Sequence, residues 1–152
     1  AFTRLIDLGI NPRILGSAIN VALAQRLVRK LCPQCKKEVP IDATIKTQMD
    51  TVLASVTKQE KIAGLQREKM WVAGDGCEKC GGMGYKGRMG LFEAVFMDAK
   101  IEDVIEMSPS EREIKKIAAE QGFFTMSQDG IIKILEGETS FEEVVRVIDI
   151  TD

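Results

Sequence analysis

The chain contains no histidine. That absence removes His-dependent catalytic triads and Cys/His zinc fingers from what these residues alone can build. Aromatic residues are scarce at 5%, and positive charge is not in excess: 21 Lys and Arg stand against 23 Asp and Glu, a net of −2. A nucleic-acid binder needs a basic surface interleaved with aromatics, so nucleic acid is not expected among the partners. No run approaches the roughly twenty apolar residues of a membrane-spanning helix. The N-terminus also lacks the basic-then-apolar pattern of a secretory leader, so a cytoplasmic location is expected. Repeats, low-complexity stretches and coiled-coil heptads are missing too. What remains is 152 residues, 45% hydrophobic and 29% charged, enough to bury a core as one unit or two small ones.

The four cysteines are the strongest chemical signal. They come as two pairs with none spare, Cys32-Pro-Gln-Cys35 and Cys77-Glu-Lys-Cys80. A C-x-x-C turn aims two sulfurs at one point, and two such turns make a closed four-thiolate site. Disulfides do not suit a reducing compartment, and a thioredoxin-like redox site uses one such turn, not two. Zinc is the expected occupant, in a structural role, while an iron site shares the same ligand set and stays open. Residues 36–76 separate the pairs, an excursion that loop-closure entropy tolerates and that is expected to be a structure in its own right.

The stretch CEKCGGMGYKGRMGLFE, Cys77–Glu93, mimics three other signatures. Gly82-Met-Gly84-Tyr-Lys-Gly87 reads as a dinucleotide fingerprint, but a cysteine knuckle precedes it and Gly90–Met97 reads as a strand, where phosphate capture requires a helix. A P-loop needs Lys then Ser or Thr after its last glycine, and Arg88 and Met89 stand there. A chaperone zinc module needs repeated copies of C-x-x-C-x-G-x-G, and there is one. The glycines therefore read as shaping the turn that leaves the second knuckle, with positive φ and no side chain to crowd the thiolates.

Along the chain, Phe2–Leu8 is a short apolar segment stopped by Gly9. Asn11-Pro12 opens a helix whose face is supplied by Leu15, Ala18, Ile19, Ala22 and Leu23, and Gln25–Leu31 is either the end of that helix or a buried strand. Asp42 to about Val56 predicts the helix of the excursion, and Met70–Val72 a strand returning to the second knuckle. Three capping boxes follow, Ser108–Glu111, Thr125–Gln128 and Ser140–Glu143, with Gly122 and Gly137 ending the first two helices. Ile114, Ile117 and Ala118, then Ile131, Ile134 and Leu135, then Val144, Val145 and Val147 are expected in the core of a small helical bundle.

"RLIDLGINP", "AQRLVRKLCPQCK", "CEKCGGMGYKGRMGLFE" and "DGIIKILEGETSFEEVVRVI" together resemble, in order and across essentially the whole chain, the C-terminal portion of the hexameric secretion ATPases that power type II secretion and type IV pilus assembly. The resemblance implies a helix-rich α/β fold: residues 1–31 as the tail of a RecA-like ATPase core, 32–98 as a four-cysteine zinc-binding subdomain with a long insertion, and 99–152 as a C-terminal helical subdomain. It implies zinc on Cys32, Cys35, Cys77 and Cys80, with ATP and Mg²⁺ bound by the full-length parent. The family's ATP-hydrolysis motifs are expected upstream of this sequence, so the chain alone is not expected to be catalytic. Implied partners are further copies in a hexamer and inner-membrane platform proteins, which would hold it peripherally at that membrane. Arg4 and Arg88 match family positions that approach nucleotide phosphates. Read from the residues alone they are a surface helix charge and a partner of Glu93 or a knuckle carbonyl. The competing reading of the whole is a stand-alone zinc-ribbon interaction module.

Overall fold

The computed structural model describes residues 2–57, 59–107 and 109–150. The mixed helix-and-sheet expectation holds. In order, the elements are α1 (Phe2–Asp7), α2 (Pro12–Ala18), β1 (Val21–Leu31), β2 (Lys37–Pro40), α3 (Ala43–Ala54), β3 (Lys69–Val72), β4 (Tyr85–Phe96), α4 (Ala99–Glu106), α5 (Glu111–Glu120), α6 (Met126–Leu135) and α7 (Phe141–Val145), with 3-10 turns at Gln59–Lys61 and Glu78–Cys80. Among the described residues, no helix is long and apolar enough to cross a membrane.

The chain forms two compact units. One takes the chain through Ala24 together with Glu93–Phe123; the other takes Gln25–Phe92 and everything from Phe124 onward. In the first, Phe2 of α1 and Leu15 of α2 pack with Ile101 and Ile105 of α4 and with Ile114 and Ala118 of α5. Asn11 caps α2, its side chain accepting from the Arg13 N–H, and Gly9 ends α1 at φ 87°. Gly16 permits close packing on α4, since a Cβ there would lie 3.3 Å from Glu102 Cγ.

The predicted helix over Leu15–Leu23 stops at Ala18. Ile19 turns to extended backbone at φ −105°, and Ala22 and Leu23 enter β1. Small apolar residues satisfy either period, and pairing of β1 with β4 decides the matter. The strand is not buried along its length: of Gln25–Leu31 only Val28 and Leu31 are fully covered. Ser108 lies outside the described residues. The cap of α5 is Ser110, paired reciprocally with Glu113 in its own box.

The second unit holds both cysteine pairs. Its core gathers Val28, Met49, Val52, Leu53, Val56, Ile62, Met70, Leu91, Ile131, Ile134, Leu135 and Val144. The excursion between the knuckles is thus no independent structure. Its α3 supplies much of the common core, while β2 and β3 pair antiparallel from Lys37↔Val72 to Pro40↔Lys69 and bring the excursion back to its origin. The cap predictions at Thr125, Gly122 and Gly137 hold, with both glycines at positive φ. Val145, expected in the core, is 46% exposed.

Candidate functional site: a four-thiolate metal centre

Each knuckle is closed by a backbone turn. In the first, the Lys36 N–H donates to the Cys32 carbonyl at 3.0 Å; in the second, the Gly82 N–H donates to the Cys77 carbonyl at 3.0 Å. The two are tied to one another, because the Cys32 N–H donates to the Gly84 carbonyl at 2.9 Å. This pairing brings all four sulfurs within 4.8 Å of one another.

Cys32 Sγ lies 3.7 Å from Cys77 Sγ, Cys35 Sγ lies 3.8 Å from Cys80 Sγ, and Cys77 and Cys80 are 3.7 Å apart. These separations are far too long for disulfides, whose sulfurs stand about 2.05 Å apart. They match the edge of a tetrahedron whose centre lies about 2.3 Å from each vertex, the Zn–S distance, for which the edge is about 3.8 Å. The donor set therefore fits a tetrahedral metal ion. It leaves no protein-free position, so the site is suited to crosslinking rather than to activating water.

The electrostatics are prepared for anionic sulfur. Cys80 accepts from the N–H groups of Cys77 at 3.2 Å and Gly84 at 3.3 Å. The Cys77 amide, with that of Gly84, pulls the Cys80 thiol down to about 6 against the opposing effect of burial. The Gln34 backbone likewise lowers Cys32. Cys35 is pushed up to about 12, first by burial and then by the neighbouring thiols. Four thiolates this close repel, so a cation is what allows all of them to stay deprotonated.

The glycines do what turn geometry requires. Gly81, Gly82, Gly84 and Gly87 all have positive φ. The expected crowding is of another kind: a Cβ on Gly84 would meet the Gly74 carbonyl at 2.9 Å, not a thiolate, and Gly81 and Gly82 face open space. Gly76 is required by sterics, a Cβ there lying 2.3 Å from the Gly82 carbonyl, and the tightest position is Gly74, whose Cβ would sit 1.8 Å from the Cys35 carbonyl oxygen. Sequence reasoning passed over it, and the only signal was its position two residues before Gly76 in the approach to the second knuckle. A strand, β4, and no helix, starts directly after Gly84 and takes in Gly87, which removes the dinucleotide reading.

Arg4 is exposed on α1 in the first unit; Arg88 is exposed on β4 in the second. Neither forms an ion pair among the described residues. Another set of residues around the centre escaped the sequence reading. Lys36, next to Cys35, lies 4.5 Å over the Trp71 ring and donates to the Gly137 carbonyl at 2.7 Å. Glu143, 1% exposed, accepts from Nε and Nη2 of Arg29 at 2.9 and 2.7 Å and from Arg146 at 2.6 Å, and Arg29 lies 4.1 Å over Tyr85. The expected capping box at Ser140 is therefore half made: Ser140 accepts from the Glu143 N–H, while the Glu143 carboxylate is drawn to the arginines.

A family model described as a type II/IV secretion system protein matches residues 1–146. The type IV pilus assembly ATPase PilB of Thermus thermophilus is 39% identical over 145 residues, which are 95% of this chain and 15% of that protein. The type II secretion system protein E of Aeromonas hydrophila is 37% identical over 151 residues, 97% of this chain and 27% of its own length. That of Pseudomonas aeruginosa is 38% identical over 147 residues, with the same shares of 97% and 27%. The chain thus spans between 15% and 27% of the length of these relatives.

Proposed function

The chain belongs to the type II/IV secretion system protein family, and from that premise we propose that it is the zinc-bearing C-terminal portion of a hexameric motor ATPase driving type IV pilus assembly or type II protein secretion. The observation that carries this reading is the set of four sulfurs at tetrahedral spacing, held by two knuckles that bond to each other. Cys32, Cys35, Cys77 and Cys80 hold the zinc, which supplies a fixed crosslink and no open coordination position. The amides of Cys77 and Gly84 orient and charge the Cys80 sulfur, and Gly74 lets the opposing loop reach Cys35.

In the assembled parent, residues 1–31 continue a RecA-like core, 32–98 carry the zinc-binding subdomain and 99–152 supply the C-terminal helices, of which α4 and α5 pack in the first unit and α6 and α7 in the second. ATP and Mg²⁺ bind on the parent's own motifs, and this chain alone does not turn over nucleotide. The exposed guanidiniums of Arg4 and Arg88 are free to reach phosphates across a subunit boundary, where a planar fork stabilises transferring charge. The partners are further copies in the hexamer and inner-membrane platform proteins, with the motor on the cytoplasmic side of that membrane.

Elemental analysis of the purified chain tests the centre: one zinc per chain is expected, lost together with much of the thermal stability when any one cysteine becomes Ser. Iron absorption, or no metal, overturns it. In the full-length hexamer, Arg88→Ala is expected to keep zinc while lowering ATP turnover by roughly 10³-fold. Unchanged turnover removes Arg88 from the nucleotide site.

A further inference from the structure

The corner between α6 and α7, Gly137–Ser140, closes onto α6 through the Gly137 and Glu138 N–H groups and is tied on its other side to the flanks of the two knuckles. Leu31, immediately before Cys32, donates its N–H to the Glu138 carbonyl at 2.9 Å. Lys36, immediately after Cys35, donates to the Gly137 carbonyl at 2.7 Å. Thr139, fully buried, donates its hydroxyl to the Arg29 carbonyl at 2.9 Å. From the second knuckle, Gly84 gives its N–H to Cys80 Sγ, and the next residue, Tyr85, hydrogen-bonds the buried Ser140 hydroxyl at 2.8 Å. That same Ser140 oxygen caps α7.

Helix α7 has five residues, too few to hold a helical form without outside support. Its N-cap and the carbonyls that precede it find their partners on the ends of β1 and β4 and on Lys36, the segments that lead into and out of the two knuckles, and the Glu143 carboxylate is shared between Arg29 of β1 and Arg146. We infer that, given a metal held by the four cysteines as proposed above, the Gly137–Ser140 corner is a latch that orders α7 only while the centre is loaded, so that metal occupancy is transmitted to the C-terminal helix. Coupling of this kind is reciprocal: if the metal orders the corner, loosening the corner weakens the metal.

Hydrogen–deuterium exchange with mass spectrometry tests the latch on the intact chain, zinc-loaded and chelator-stripped. Peptides across residues 137–147 are expected to exchange roughly tenfold faster or more after stripping, and by a clearly larger factor than α3 (Ala43–Ala54) and α5 (Glu111–Glu120). The second arm keeps the metal. The double variant Tyr85→Phe, Thr139→Val retains zinc by elemental analysis, speeds exchange in the same peptides and weakens zinc by about fivefold or more in competition with a chromophoric chelator. If stripping accelerates α3 as much as the corner, the metal staples the whole unit and the latch is overturned. It is equally overturned if the corner is indifferent to stripping, or if the double variant binds zinc as the parent chain does. A chain that takes up no zinc overturns the metal reading and the latch with it, whereas zinc uptake with an indifferent corner overturns the latch alone.

Discussion

Two arginines converge on Glu143. Its carboxylate is 1% exposed and is shared by the Arg29 guanidinium, the Arg29 backbone N–H and Arg146. Burial pushes its pKa up, but the hydrogen bonds from Arg29 and Arg146 outweigh it and leave the carboxyl below its ordinary value. A lowered folded-state value means the contribution to stability is complete above the unfolded carboxylate pKa of about 4.3 and is lost as pH falls through the lowered value. Glu143→Ala is therefore expected to destabilise by about 1–3 kcal/mol at neutral pH, because it takes the acceptor from the half-buried Arg29 amide and guanidinium. Glu143→Gln is expected to flatten the acid limb of a chemical-denaturation series taken between pH 7 and 3. An acid limb unchanged in that variant would show that another carboxylate governs it.

Among the elements, α6 shows how one cap serves two helices. Thr125 and Gln128 bond reciprocally at its start, and the Gln128 Nε2 reaches on to the Ser55 hydroxyl at 2.9 Å, at the end of α3. Thr125→Ala removes only the local acceptor and is expected to cost about 1 kcal/mol. Gln128→Ala also strips a buried partner from Ser55, so its loss in thermal denaturation is expected to exceed that of Thr125→Ala; the reverse order would refute the double role. Caps of this kind were legible in the sequence because they are local: a hydroxyl, an amide two or three residues on, and a glycine beyond. The knuckles were legible for the same reason. What stayed hidden was set by distant partners. The diversion of Glu143 from its cap depends on Arg29, more than a hundred positions away, and the change of Ala22–Leu23 from helix to strand depends on pairing with β4. Neither leaves a periodic trace.

Taken whole, the second unit is organised so that the excursion between the knuckles is both detachable in topology and indispensable in packing. The Ile41 N–H donates to the Glu68 carbonyl at 2.9 Å, so a short turn could bridge that gap. Yet Met49, Val52, Leu53, Val56 and Ile62 from the excursion fill the core against Leu91, Ile131 and Ile134. Each buried apolar side chain contributes about 1.5–3 kcal/mol, and five of them together rival the roughly 5–15 kcal/mol by which a domain is stable. Replacing residues 42–67 by a turn is thus expected to abolish cooperative unfolding of this unit in calorimetry, even with the cysteines intact. A sharp transition in the trimmed chain would show that the core closes without them. The same unit carries the chain's single tryptophan. Trp71 lies beneath the Lys36 ammonium at 4.5 Å, and its Cδ1 would be only 2.4 Å from a Cβ added to Gly137. An indole so placed, with a charge over one face and a helix corner against its edge, makes intrinsic fluorescence a native optical gauge of the corner: its emission shifts when the charge withdraws or water enters, with no label attached and on the timescale of the motion itself.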